Sequence, residues 1–500
     1  MDRLEAATVR SWADAACTAL EQARDRIDAV NVFPVADSDT GTNVLLTVAG
    51  GLGAVELVAS DATGPEVARA FARGSLLAAR GNSGVIVSQW LTGFARGLPP
   101  AAAADEVARC LATAARAARE ATVEPQEGTV LTLADVVARA AATAADAGAD
   151  LPTMLAEAVA EALRGLGRMS AVHPVLRAAH VLDSGACALL VVLDALARAA
   201  AAERPVRVPL DWLPAATAHH AAGEPTGGAF EVMLLVSDDH PVVDTGAELR
   251  RRMGTVGDSV AVVGGDGWWH VHVHTDDPAA AIAGAALGRR EQVLVRLLAG
   301  AHAGGSALQG GADGRERWGV VVCTAAPGLA AWYAAAGAVT VVQCPEAPVR
   351  SVHLERAVAD SGAAHVVLLP GPAGGVGALS TPGVLVEVLE APDEVHLAVG
   401  ALALAGAGPT AEGRAAADAA LARLGVREME AATVRSACEA ADALLGAARG
   451  AESLTVLVRG APDDHLVDGL VAHLAAHHPG VEATVVGPTG HGPALVIGVD

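Results

Sequence analysis

The sequence predicts a multidomain protein: an all-α helical barrel or bundle first, then α/β middle and C-terminal domains. Three observations carry this. Up to about residue 200, Ala, Leu and Val recur at three- and four-residue spacing with polar residues between. From Phe230 the texture changes to the alternation and short apolar runs of strands. The 500 residues exceed one ordinary core, and 52% are hydrophobic but only 2% aromatic, so several domains built on alanine-rich helices are expected.

Taken in order, the periodicity predicts helices near 5–28, 43–58, 64–79, 83–96, 103–120, 129–147, 151–165, 171–180 and 185–201. Gly, Pro and Asp fall in the loops between them. Residues 1–203 are read as one helical domain and 204–224, rich in Pro and His, as a linker. Phe230–Val236, Ser259–Val263 and Trp268–His274 read as strands, the last two joined by a Gly-Gly-Asp-Gly turn, giving an α/β middle domain over 225–302. After a Gly-rich joint at Ala303–Gly314, buried strand runs at Val320–Cys323, Val339–Val342 and His365–Leu369 alternate with helical stretches. Helices near 411–423, 429–448 and 463–477 and strands Leu454–Val458, Ala483–Val486 and Ala494–Val499 complete a C-terminal domain over 316–500.

Composition removes several function classes. A formal net charge of −23 works against nucleic acid and anionic membrane as partners. No opening segment combines a basic patch with an apolar signal core, and no apolar stretch reaches the roughly 18–20 residues that span a bilayer. The run Ala186–Leu193 is halted by Asp194. The six cysteines form no CxxC, so neither a disulfide framework nor a zinc ribbon is indicated, and a cytoplasmic protein without stable membrane insertion is expected. All 34 basic residues are arginine. The terminal Lys of a Walker A loop and the strand Lys of protein kinases are therefore absent, as is Schiff-base chemistry.

The stretch Asn31-Val32-Phe33-Pro34-Val35-Ala36-Asp37-Ser38-Asp39-Thr40-Gly41-Thr42-Asn43 is the richest in chemistry. Two carboxylates beside hydroxyl and glycine residues suit Mg²⁺, which binds through one or two carboxylates plus substrate phosphates. A helix cap or Asx-turn is the competing reading. An EF-hand is excluded because its terminal Glu position falls on Val48. Three more polar helix entrances follow: Arg80-Gly81-Asn82-Ser83-Gly84, Glu127-Gly128-Thr129 and Asp183-Ser184-Gly185. Each alone reads as an ordinary cap, but four in one apolar helical domain can converge on one end of a bundle, where unpartnered N–H groups receive anions. In the middle region His270, His272 and His274 alternate along one strand face. Two readings stay open there, an imidazole zinc site and a polar face packed on a neighbour.

The segments NVFPVADSDTGTN, ARGNSGVIVSQWLTGF, EGTVLTLADVV and VLDSGACALL resemble the nucleotide-binding subunit domain of the dihydroxyacetone kinases (DhaL-like, DAK2). They are more similar to the bacterial fatty-acid kinase ATP-binding subunit, whose usual first motif reads NVFPVPDGDTGTN. GDSVAVVGGDGWWHVHVHTDDPAAAI resembles that subunit's middle domain, and the C-terminal region resembles its DegV-like last unit. The resemblance implies an open-ended helical barrel holding Mg²⁺ and ATP/ADP. It places Asp37 and Asp39 on the metal, with Asn31 a weaker candidate where the ketose-kinase branch has a further Asp. Thr40, Gly41, Thr42 and Asn43 match positions beside the phosphates, Gly81, Asn82, Ser83 and Gly84 the phosphate loop, and Thr129, Asp183 and Gly185 the pocket rim. Arg80 is read as a γ-phosphate donor. Ser38 stands where the family has Gly, and lacks glycine's backbone freedom.

In the family, two of the strand histidines bind zinc with a Cys. The matching stretch here is Gly227-Gly228-Ala229-Phe230, so a site on His272 and His274 would need His270, Asp276 or no further ligand. The polar C-terminal motifs are also altered, to Gln343–Ser351 and Leu369–Pro372. The resemblance implies a kinase that transfers the ATP γ-phosphate to a fatty-acid carboxylate presented by a separate DegV-like lipid-binding protein, with a homodimer a compatible assembly. The alternatives are a non-catalytic nucleotide sensor or scaffold, or a nucleotide-binding component of glycerone-kinase type.

Overall fold

The computed structural model describes residues 3–33, 38–203, 206–214, 228–239, 244–265, 267–298, 318–373, 379, 381, 383–448, 450–460 and 464–500. The N-terminal region is all-helical: α1 (Ala6–Asp28), α2 (Thr40–Glu56), α3 (Gly64–Ala78), α4 (Gly81–Arg96), α5 (Ala104–Ala121), α6 (Val130–Asp146), α7 (Leu151–Ser170), α8 (Pro174–Ala179) and α9 (Ser184–Ala200). Sheet-containing regions follow, so the expected fold class is the one observed. Contacts divide the chain into two compact units.

The first unit holds the nine helices named above and residues 235–274. Alanine on the inward faces lets the helices approach closely, and the few aromatics are concentrated where they meet. Trp12 of α1 lies edge-on to Phe71 of α3 and Phe94 of α4, each with ring centroids 5.3 Å away. Its indole N–H donates to the Val192 carbonyl of α9 at 2.9 Å, so one fully buried side chain ties four helices together. Each such edge-to-face pair adds about 1 kcal/mol beyond its area term. α9 is apolar almost all round, as befits a central helix. Gly165 and Gly167 do not stop α7, which runs five residues past the predicted end; the predicted helix 171–180 shrinks to α8, started by Pro174.

β1 (Phe230–Ser237) leads from the second unit into the first. There α10 (Thr245–Val256), which the sequence did not reveal, precedes the hairpin β2 (Asp258–Gly265) and β3 (Trp268–Thr275). β2 and β3 are antiparallel, with Ala261 opposite His272 and Val263 opposite His270. Val123 N–H donates to the Val260 carbonyl at 3.2 Å, so β2 is bonded to the segment after α5.

The second unit contains α11 (Pro278–Gly284), β4 (Arg289–Leu297), β5 (Trp318–Thr324), α12 (Ala330–Ala335), β6 (Val339–Val342), α13 (Ser351–Asp360), β7 (His365–Leu369) and β8 (Leu385–Val388). The first five residues of β1 join it, and the strand order is β1-β4-β6-β5-β7-β8. β5 pairs in parallel with β6 and β7, and β7 with β8, while β4 runs antiparallel to β6. Then come α14 (Glu394–Ala407), α15 (Ala411–Arg423), β9 (Gly425–Met429), α16 (Val434–Ala447), β10 (Ser453–Val458), α17 (Asp464–His477), β11 (Glu482–Val486) and β12 (Leu495–Val499), with a second sheet in the order β11-β10-β12-β9. The predicted helix 429–448 is thus corrected at its start: Gly425–Met429 pairs with β12, and Thr433 caps α16.

Candidate nucleotide site

Four predicted polar entrances begin α2, α4, α6 and α9, and three of these starts are bonded or in contact. Ser184 at the start of α9 donates to Thr40 Oγ1 at 3.1 Å and to Asn31 Oδ1 at 3.3 Å. Asn31, Thr40 and Ser184 are all buried. α4 begins against α2. Gly81 has φ +56, and a Cβ there would lie 2.4 Å from Asn43 Nδ2; a Cβ on Gly84 would lie 2.4 Å from Thr47 Oγ1. At Gly81 only glycine allows both the left-handed turn and the contact. Thr47 in turn donates to the Asn43 carbonyl (2.7 Å) and accepts from the Arg80 backbone N–H (3.2 Å).

Asp37 lies outside the described residues, as do Gly227 and most of the predicted linker. For Asp39 the structure decides between cap and site. It occupies the N-cap position of α2, yet its side chain makes no capping hydrogen bond. Capping is done instead by Asp28, at the end of α1. Asp28 Oδ1 accepts from Gly41 N–H (2.5 Å) and Thr42 N–H (3.2 Å), and Oδ2 accepts from the Thr42 hydroxyl (2.8 Å). Burial pushes the Asp28 carboxyl up to about 6, against these hydrogen bonds, and the Asp39 charge adds to the rise. Sequence reasoning missed Asp28, because no local pattern marks a helix-end aspartate as the cap of the next helix.

Asp183 and Thr129 are true caps. Thr129 accepts from Leu131 N–H at 3.4 Å and donates to the Gln126 carbonyl at 2.7 Å. Asp183 accepts from Ala186 N–H at 2.7 Å and also from the Val130 N–H, so one carboxylate serves the starts of both α6 and α9. Its burial raises it to about 6 although both hydrogen bonds favour the ionised form. The start of α4 differs, since its N-cap residue Arg80 offers no side-chain cap. Arg80 is buried, and its guanidinium donates to the Ala78 carbonyl at 3.2 Å. Asn82 Oδ1 is buried and has no hydrogen-bond partner among the described residues.

Beside this uncapped start lies a cavity of about 490 Å³, lined by Asn82, Ser83, Thr129, Asp183 and Gly185. Phe33, Ile86, Val123, Leu131 and Val260 add apolar surface, and Gly257–Val260 brings the start of β2 into the wall. The volume is within the range of ligand pockets, roughly 300–1,000 Å³. A polar end at helix N-termini and an apolar wall are what a nucleotide requires. The donor set also fits Mg²⁺ and phosphate: a carboxylate not spent on capping, an uncapped helix start and an unmatched amide oxygen.

Residues 34–198 match the model of the DAK2 domain, and residues 228–303 that of the FakA-like middle domain of fatty acid kinase. The chain is a DAK2-domain protein with a FakA-like middle domain. Protein YloV of Bacillus subtilis (strain 168) is 33% identical over 272 residues, 52% of this chain and 49% of its own. A Staphylococcus haemolyticus protein is 32% identical over 266 residues, 51% and 48% of the two chains. One from Staphylococcus epidermidis is 32% identical over 265 residues, again 51% and 48%. The chain thus spans about half the length of the curated relatives it matches.

In the middle region His270, His272 and His274 are buried on β3, and the His272 and His274 rings are 5.0 Å apart. Two imidazoles so placed can share one ion. Asp276 is engaged elsewhere, accepting from Ala229 N–H at 2.8 Å. Among the described residues no helix is long and apolar enough to cross a membrane.

Proposed function

We propose that this chain is the ATP-binding catalytic subunit of a cytoplasmic fatty-acid kinase, passing the ATP γ-phosphate to the carboxylate of a fatty acid held by a separate DegV-like lipid-binding protein. The observation that carries this reading is the uncapped start of α4 beside the 490 Å³ cavity, with capping of α2 transferred from Asp39 to Asp28. Membership of a kinase-related family supports it.

Each residue then has a task. The backbone N–H groups of Gly81, Asn82, Ser83 and Gly84 hold phosphate oxygens, and Arg80 supplies a donor toward the γ-phosphate. Asp37 and Asp39 would hold Mg²⁺, with Asn31 beside them; the ion, when bound, supplies charge neutralisation across the phosphates. Thr40, Gly41, Thr42 and Asn43 fix the geometry of that end through Asp28 and Ser184. Thr129, Asp183 and Gly185 form the rim, and the apolar wall takes the base. An acyl carboxylate titrates near 4–5 and is ionised at neutral pH, so attack on the γ-phosphorus needs no general base. This agrees with a cavity lined by no histidine among the described residues. His272 and His274 would hold zinc in the middle region.

The test is an ATP-consumption assay with purified chain, a lipid carrier from the same organism, and oleate or dihydroxyacetone. Carrier- and oleate-dependent acyl phosphate that vanishes in Asp39→Ala is expected. Turnover of dihydroxyacetone alone would assign a glycerone kinase, and tight ATP binding with neither substrate consumed a sensor.

A further inference from the structure

The second unit carries a cluster unrelated to the nucleotide site. His473 of α17 and His478, just past its end, both direct Nε2 at the same oxygen of Asp442 on α16, each at 2.8 Å. The two ring nitrogens and the carboxylate oxygen all lie within 4.8 Å of one another. The His473 ring stacks on His477, one turn along, with centroids 4.3 Å apart. His477 Nδ1 lies 3.0 Å from the His473 carbonyl, which fixes the ring against its own helix.

We propose that Asp442, His473 and His478 form a site for a zinc-class divalent cation that clamps α16 to α17. Three features point to an ion in preference to a chance pair of hydrogen bonds. The first is convergence: two imidazoles from different parts of the chain present the same nitrogen to one oxygen. Zinc takes imidazole nitrogen and carboxylate oxygen at about 2.0–2.2 Å, so tetrahedral ligand atoms lie roughly 3.3 Å apart. Each ring need withdraw only about half an ångström from Asp442 to admit the ion. The second is accessibility: the side chains are 21% (His473), 28% (His478) and 45% (Asp442) exposed, so an ion can enter and water can complete its shell. The third is charge, because a chain of net −23 attracts cations. The N₂O donor set excludes Ca²⁺ and Mg²⁺ as preferred guests, since both favour all-oxygen shells.

The full chain, stripped by chelator and dialysed, is titrated with Zn²⁺ and its metal content read by elemental analysis. Wild type should hold one equivalent more than His473→Ala and Asp442→Asn. In a His272→Ala/His274→Ala chain the same equivalent should persist, with at least a tenfold loss of affinity on adding Asp442→Asn. Circular dichroism identifies any variant that has failed to fold, and the Co²⁺ absorption spectrum of the otherwise native chain then gives the same comparison. Equal metal content in wild type, His473→Ala and Asp442→Asn would overturn the proposal. So would a Co²⁺ spectrum unaffected by either substitution.

Discussion

Replacing Asp183 by Asn isolates the electrostatics of the pocket rim. Asp183 is fully buried between the starts of α6 and α9, and its folded-state value is about 6 against an ordinary 3.8. A carboxyl whose value is raised on folding binds its proton more tightly in the native state. Its stabilising contribution is therefore complete below about pH 4 and is lost as pH rises through about 6. Two units correspond to roughly 3 kcal/mol, an upper figure for a buried group. Asn keeps one acceptor for the two N–H groups and loses the other, an offset that does not vary with pH. The stability difference between Asp183→Asn and wild type should accordingly shift in favour of the variant by about 2–3 kcal/mol between pH 4 and pH 7.5. Urea unfolding at a series of pH values measures it. A difference constant with pH would refute the burial of a charge between the two helix starts.

Three further outcomes follow from neighbouring residues. Asp28→Ala removes the cap of α2 and should cost about 1–2 kcal/mol in urea unfolding, with Mg-ATP affinity falling at least tenfold by calorimetry; unchanged affinity would mean Asp28 does not position the site. Ser38 has φ +55, the left-handed conformation its family glycine would adopt freely, so Ser38→Gly should raise stability by about 1 kcal/mol without weakening nucleotide binding. Gly84→Ala drives a methyl into the Thr47 hydroxyl and should destabilise by about 1–3 kcal/mol, and Thr47→Ala in the same chain should recover part of that loss; strict additivity would show that the two do not touch.

Much of the helical domain was legible because its signal is local. Alanine periodicity and polar entrances mark α1 to α6 within a few residues, and the strand β3 followed from strict alternation at His270, His272 and His274. Legibility failed where tertiary contact decides. Asp28 looks like surface charge until α1 and α2 pack, and the cavity wall at Gly257–Val260 belongs by sequence to a different domain. α14 escaped because Glu394–Ala407 is apolar on every face and offers no periodic stripe. β4 escaped because its first four residues are Arg, Arg, Glu and Gln, which pair with charges such as Glu346 where a strand reading expects apolar alternation. The Asp37-Ser38-Asp39 motif was ambiguous for a good reason. A cap and a ligand use the same residue types, and only the side chain that occupies the cap tells them apart.

That distinction makes the placement of the nucleotide the point to test. Photo-crosslinking with an azido-adenine ATP analogue and Mg²⁺, followed by peptide mapping, reads it directly. Label on residues 122–131 and 257–260, suppressed by excess ATP and lost in Asp39→Ala, is the predicted result. ATP-protected label confined to other segments, or labelling indifferent to Asp39, would contradict the account.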